Sequence, residues 1–465
     1  MPTFQPEQFS CWTGGRWTAR PAGPLTDFAI DSRHVRAGQV FVALKTDKRD
    51  GHDFLAAARA AGASAALVAV ANPAVALPQL VVADPLVAFQ AIAREHRRAF
   101  RGPVVGISGS AGKTSTKNLL AVLLGGEARG VLATPGNLNN HLGVPLTLTQ
   151  LDPGRHAFAV VEAGISGPGE MKSLADMIEP DLSLITLVAP AHTEALGGLD
   201  GVAREKALLP AATRASGVAI FSKATAALPA FRALNIRTMI VERVEGVGPA
   251  EPPKDRVYFA ITHRGDETAV ALAYGPPPPL NFTFRRVTDG MAQNAALALC
   301  AALWLGVSRA EIQARLAAWK PAPLRGEIRR EAGRLLYLDC YNANPASMAD
   351  ALATFAALAP VGEPRLYVLG CMEELGAEAV GYHRALGRCL PLAEGDRLLV
   401  MGTNAAAVCA GVLESGDCSR QMKIVDSLEP VAAAIAEWRG AVFVKGSRRY
   451  QLERALAQQP ADLHA

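Results

Sequence analysis

V-V-G-I-S-G-S-A-G-K-T-S-T-K-N, from Val104 to Asn118, decides the fold of this chain. The apolar run Val104 to Ile107 reads as a buried strand, since a strand covered on both faces shows no polar alternation. It breaks into Ser108, Gly109, Ser110, Ala111 and Gly112. Lys113 and Thr114 then open a helical stretch, Ser115 to Leu124. Strand, glycine turn, Lys-Thr and helix together make a phosphate-binding P-loop. Glycine lets the backbone approach a phosphate and aim N–H groups at it, and the helix N-terminus adds the positive end of its dipole. Lys113 would reach the β- and γ-phosphates, and the Thr114 hydroxyl would bind Mg²⁺. The form is a short one, because Ile107 stands where the common pattern has its first glycine. The bland alternative is an ordinary glycine turn before a helix.

The chain has 465 residues, enough for about three domains. Half of it is hydrophobic and its net charge is +4, too mild to imply nucleic acid or a membrane surface. Seven cysteines, an odd number with no C-x-x-C pair, fit reduced thiols in a cytoplasmic protein. The first ten residues lack the pattern of a signal peptide. No uninterrupted apolar run is long enough to span a membrane.

Outward from the P-loop the chain reads as α/β throughout. Residues 1–101 form a small N-terminal α/β domain, 102–320 a central P-loop domain with a parallel-rich sheet, and 321–465 a Rossmann-like domain of alternating strands and helices. In the first unit Asp31, Ser32 and Arg33 precede a strand-like run, Gln39 to Leu44. A Ser hydroxyl and an Arg fork can hold a phosphate or a uracil edge, although taken alone the triplet is better explained as a solvated loop. In the second unit T-P-G-N-L-N-N-H, Thr134 to His141, is a loop whose amides suit a polar ligand or simply a turn. The strand His156 to Val161 ends in Glu162, a hard oxygen ligand for Mg²⁺. The run Leu182 to Val188 leads to His192, which is either structural or a metal ligand. Both strand ends face the crevice where open α/β sheets bind ligands. Lys206 follows on a helix, and a cation near a metal site is out of place there unless neutralised or carbamylated. Glu245 to Lys254 and Pro276 to Pro279 read as loops, and Met291 to Leu305 as a helix with Asn294 in its first turn. In the third unit one strand ends in D-C-Y-N-A-N-P, Asp339 to Pro345, and the last in K-G-S-R, Lys445 to Arg448.

Taken in order, D-S-R at Asp31, G-S-A-G-K-T-S at Gly109, G-N-L-N-N at Gly136, Glu162, A-H at Ala191, Lys206, Y-N-A-N at Tyr341 and V-K-G-S-R at Val444 resemble the Mur ligases over nearly the whole chain. The pair G-N-L-N-N and Y-N-A-N-P resembles most closely the type that adds D-alanyl-D-alanine to UDP-N-acetylmuramoyl-tripeptide. The resemblance implies amide formation through an acyl phosphate in cytoplasmic peptidoglycan precursor synthesis, by a monomer with no membrane span and no nucleic-acid partner. It implies ATP contacts at Gly109, Ser110, Ala111, Gly112, Lys113, Thr114, Ser115, Asn294, Arg325 and Asp339. It implies precursor or dipeptide contacts at Ser32, Arg33, Asn137, Asn139, Asn140, Tyr341, Asn342 and Asn344. Two Mg²⁺ ions would be held by Thr114, Glu162, His192 and a carbamylated Lys206, and Lys113, His192 and Lys206 would be the catalytic set. Gly290, Cys371, His141 and Ser166 depart from the family pattern. The competing readings are a related Mur-type ligase with a different amine, and a binding protein without catalysis.

Overall fold

The computed structural model describes residues 2–456 apart from 192, 247, 248, 250–252, 276, 332, 391 and 417–420. His192 therefore lies outside the described residues. Three sheets follow one another along the chain, of five, nine and six strands.

The P-loop strand, Val104–Ser108, is buried at every position. It lies between Phe158–Glu162 and Leu182–Ile185, parallel to both, with Ile107 opposite Glu162 and Ser108 opposite Ile185. Uniform burial matches its unbroken apolar pattern. Helices and apolar side chains cover both faces of this sheet: Leu119, Leu120 and Leu123 of the helix Lys113–Leu124 on one, Val144, Leu174 and Leu209 on the other. The helix Asp289–Trp304, rich in Ala and Leu, packs against Lys113–Leu124. It begins at Asp289, two residues earlier than the sequence suggests, because the Thr288 hydroxyl caps it by accepting from Met291 N. That shift moves Asn294 from the first turn to the second.

The far edge of this sheet is an antiparallel ribbon, Arg256–Arg264, Glu267–Ala273 and Leu280–Arg285, where the sequence reading saw only flanking loops. Its signal is a run of alternating residues, Thr268, Val270 and Leu272 inward, after the two-residue turn Gly265-Asp266.

In the third sheet Arg334–Asp339 pairs in parallel with Ala441–Lys445, which sets Asp339 opposite Lys445. The strand Arg365–Gly370 lies on the other side of Ala441–Lys445. The earliest and latest parallel strands of this unit thus end side by side, where α/β sheets place their sites.

The first sheet is tied to the second by Arg97, at the end of the helix Pro85–Ala99. Its side chain is fully buried and donates to Ile178 O, Glu179 O and Asp181 Oδ2, each at 2.8 Å. Removing one partner of a buried, fully bonded charge leaves the other groups unsatisfied. Arg97→Ala is expected to cost about 3 kcal/mol in urea unfolding; a loss within 0.5 kcal/mol of zero, the range of ordinary surface changes, would show that this junction does not hold the units together.

Candidate active site

A cleft of about 770 Å³ opens between the second and third sheets. The P-loop forms its floor and is pinned from behind. Ser110 N donates to Leu187 O at 2.7 Å and the Ser110 hydroxyl to Ala189 O at 2.7 Å, while Thr186 Oγ1 donates to Ala111 O at 2.5 Å. Two glycines are obligatory here. A Cβ on Gly109, at φ +150°, would stand 1.9 Å from Thr186 Oγ1, and one on Gly112, at φ +79°, 2.2 Å from Asn294 Nδ2. Asn294 is thus a neighbour of the P-loop, brought there by the helix Asp289–Trp304.

Glu162 is the hub of the site. Its Oε1 accepts from Thr114 Oγ1 at 3.0 Å and from Asn139 Nδ2 at 2.8 Å. Its Oε2 is buried without a hydrogen bond, 3.6 Å from Lys117 Nζ. An orphaned carboxylate oxygen beside a hydroxyl is a hard donor set that suits Mg²⁺, which also draws ligands from substrate phosphates. The Lys113 ammonium donates to Gly109 O at 2.9 Å. Burial lowers its pKa, with the Arg325 charge adding to the effect and Glu162 opposing it.

The third unit closes the cleft. Arg325 lies 3.7 Å from the centre of the Tyr341 ring, a cation–π contact that holds the guanidinium in place. Lys445 pairs with Asp339 and also donates to Asn342 O at 3.1 Å. Gly290 N donates to Asp350 Oδ1 of the third unit at 3.0 Å, and a Cβ at Gly290 would stand 2.5 Å from Asp350 Oδ2. Glycine at this departure from the family pattern therefore admits a close contact between the units.

Ser110, Ala111, Gly112, Lys113, Thr114, Ser115, Asn137, Asn139, Asn140, Glu162, Asn294, Arg325, Asp339, Tyr341, Asn342 and Asn344 all line the cleft. Several do something other than wait for a ligand. Asn139 steadies Glu162. Asn140 Oδ1 accepts from Leu142 N and Gly143 N, and Asn344 Oδ1 from Ser347 N as the cap of the helix Pro345–Leu358. Ser32 and Arg33 do not line it; they stay on the first unit's surface, where the Arg33 side chain pairs with Asp31 at 2.6 Å. Lys206 lies under the site, 2% exposed on the helix Gly198–Ala211 and with no hydrogen bond or ion pair among the described residues. Burial drives its pKa far down, and the nearby Lys113 charge pushes the same way. Sequence reasoning missed Lys117, one helical turn past Lys113 on the same face; that spacing was the available signal.

Models of three Mur ligase domains match the chain: the family's catalytic domain over residues 26–108, its middle domain over 107–302 and its glutamate ligase domain over 324–448. The chain belongs to the Mur ligase family. It is 32% identical to the UDP-N-acetylmuramoyl-tripeptide–D-alanyl-D-alanine ligase of Escherichia coli, over 93% of each chain, and 28% identical to that of Bacillus subtilis, over 91% of each. Its structure matches a crystal structure of MurF from Acinetobacter baumannii with TM-score 0.85, 28% identity and 98% of each chain covered. It also matches the MurF ligase of Thermotoga maritima in complex with ADP, with TM-score 0.78 and 26% identity over 93% of this chain and 96% of that one. The three-domain α/β fold expected from the sequence is the fold of these relatives.

Gly112→Ala would strain a left-handed residue and displace Asn294. ATP affinity, read by calorimetry, is expected to fall by at least about tenfold, given a cost of 1–3 kcal/mol per strained residue; unchanged affinity would remove the P-loop and Asn294 from the nucleotide site.

Proposed function

We propose that this chain is an ATP-dependent ligase that joins D-alanyl-D-alanine to UDP-N-acetylmuramoyl-tripeptide. The observation that carries the reading is the Thr114–Glu162–Asn139 set, which ties the phosphate loop to the asparagine loop through one carboxylate. One side of the cleft then serves a nucleotide and the adjoining side a polar precursor. The sequence similarity to ligases named for this reaction supports the choice of substrates.

A carboxylate oxygen of the precursor attacks the γ-phosphorus of ATP, the bond to the β-phosphate oxygen breaks, and ADP leaves. The dipeptide amine then attacks the acyl carbon, loses a proton, and phosphate departs with the former carboxylate oxygen. Lys113 and Arg325 supply fixed positive charge where the transferred phosphoryl gains negative charge, so little reorganisation is needed during the reaction. Asn294 and the P-loop amides orient the triphosphate, and Asp339 suits a ribose hydroxyl. Thr114 and Glu162 would hold Mg²⁺, which would supply positive charge against the phosphates. Tyr341, Asn342 and Asn344 border the dipeptide side. Ser32 and Arg33 serve the uridine diphosphate end of the precursor, outside this cleft. We assign precursor binding to residues 1–101, ATP binding to 102–320 and closure over the site to 321–465. We further assign the enzyme as a monomer that acts in the cytoplasm.

We assign Lys206 as a carbamate that, together with His192, would hold a second Mg²⁺. The buried amine is neutral over a lower pH range than an ordinary lysine, and the neutral form is the one that adds to CO₂. The resulting anion removes the like-charge conflict with Lys113. CO₂-free buffer is expected to lower activity and bicarbonate to restore it, whereas Lys206→Ala stays at least about 100-fold down with or without bicarbonate, as for loss of one electrostatic group. Substantial activity in Lys206→Ala would remove the assignment.

The function itself is tested by phosphate release from ATP with each component omitted in turn. Release that needs the tripeptide precursor, D-alanyl-D-alanine and Mg²⁺ together, with a pentapeptide product by mass, is expected, and it is lost in Lys113→Ala. Release supported only by another amine would make the chain a related Mur-type ligase with a different second substrate.

A further inference from the structure

We infer that Lys117 is a positioning residue of this reaction, whose ammonium holds the asparagine loop, residues 134–140, against the Glu162 carboxylate before substrate arrives. Lys117 is 2% exposed. It sits one turn beyond Lys113 on the helix Lys113–Leu124, and its ammonium reaches the segment that follows the strand Val131–Ala133. Its Nζ donates to Thr134 O at 2.7 Å and to Gly136 O at 3.0 Å, and stands 3.6 Å from Glu162 Oε2. These three directions match the three donors of an ammonium.

No other hydrogen bond to the Thr134 or Gly136 carbonyl occurs among the described residues. Without Lys117 the buried Thr134 carbonyl would be left unsatisfied beside a buried carboxylate. An apolar side chain could fill the same space on this helix with no desolvation cost, as Leu119 and Leu120 do. The lysine therefore secures geometry rather than burial: it fixes where the loop leaves the sheet.

The rest of the loop depends on that exit. Gly136 turns the chain at φ +52°, and Asn139 two residues past Asn137 reaches Glu162 Oε1. Asn140 Oδ1 accepts from Leu142 N and Gly143 N in the turn that leads into the helix Gly143–Leu148. Gly143 packs against Leu138 so closely that a Cβ there would lie 2.3 Å from Leu138 C. Lys117 thus holds the loop at its entry through the Thr134 and Gly136 carbonyls, and Asn139 holds it near its end through Glu162. The same helix that starts at the phosphate loop sets the precursor side of the cleft, so the two substrates share one rigid support.

The kinetic part of the test rests on the proposed function, whereas the exchange part does not. Hydrogen exchange of the free enzyme is compared among the parent chain, Lys117→Met and Leu120→Ala. The last opens a cavity in the same helix without touching the loop. Lys117→Met is expected to speed exchange in 134–140 by at least about tenfold, the cost of one or more buried hydrogen bonds. It is also expected to raise KM for the tripeptide precursor about tenfold while KM for ATP stays within about twofold. Loop exchange no faster than in Leu120→Ala, or a precursor KM that does not move, would overturn the inference. If Lys117→Met yields no folded protein, Lys117→Gln is read in the same way. Should the parent enzyme not use the precursor at all, the proposed function fails, and the exchange comparison still decides the role of Lys117.

Discussion

The site depends on one buried carboxylate. Glu162 is 1% exposed, and a charge taken from water costs several kcal/mol unless its oxygens are bonded or paired. Thr114, Asn139 and Lys117 provide that compensation from two directions, the phosphate-loop helix and the asparagine loop. The carboxylate is placed by sheet register. Ile107 pairs with Glu162, and because side chains alternate along a strand, a slip by one residue would turn Glu162 to the other face. The continuous apolar pairing of Val104–Ser108 with both neighbours prevents that slip, so core packing and site chemistry are settled by the same strand alignment.

The third unit brings charge to this centre. Arg325 arrives stacked on Tyr341, and Lys445 arrives paired with Asp339 and Asn342 O. Each cation is held by groups of its own unit, which limits the reorganisation required when negative charge moves onto the phosphoryl group. The Gly290–Asp350 contact and the bond from Thr193 Oγ1 to Leu375 O at 3.2 Å join the second and third units on two sides of the cleft. Burial raises the Asp350 pKa, partly offset by the bonds it accepts from Thr288 and Gly290. The contact is therefore one of placement between two units rather than a strong ion pair.

Local signals made much of this legible. A strand, a glycine turn, Lys-Thr and a helix are contiguous, so the phosphate loop could be read directly, and Glu162 followed from its position at a strand end. Lys117 was hidden because Thr-Ser-Thr-Lys-Asn looks like the solvated face of a helix; only the tertiary path of residues 134–136 buries it. Asn140 and Asn344 line the cleft and also bond backbone, Asn140 in a turn and Asn344 as a helix cap, and an asparagine in such a place has the same sequence appearance as one that only awaits a substrate. The ribbon from Arg256 to Arg285 is hard to read because Ala, Thr and Arg are interspersed among its apolar residues around a Gly-Asp turn. The Gly290–Asp350 contact joins residues too far apart in sequence for any periodicity to reveal.

The central claim is that the precursor carboxylate is activated as an acyl phosphate over the Glu162 centre. It is tested most directly by labelling both oxygens of that carboxylate with ¹⁸O and analysing the phosphate released with D-alanyl-D-alanine present. The account requires one ¹⁸O in each phosphate formed, because the oxygen that attacks the γ-phosphorus leaves with it. Phosphate free of label, with amide product formed, would contradict it.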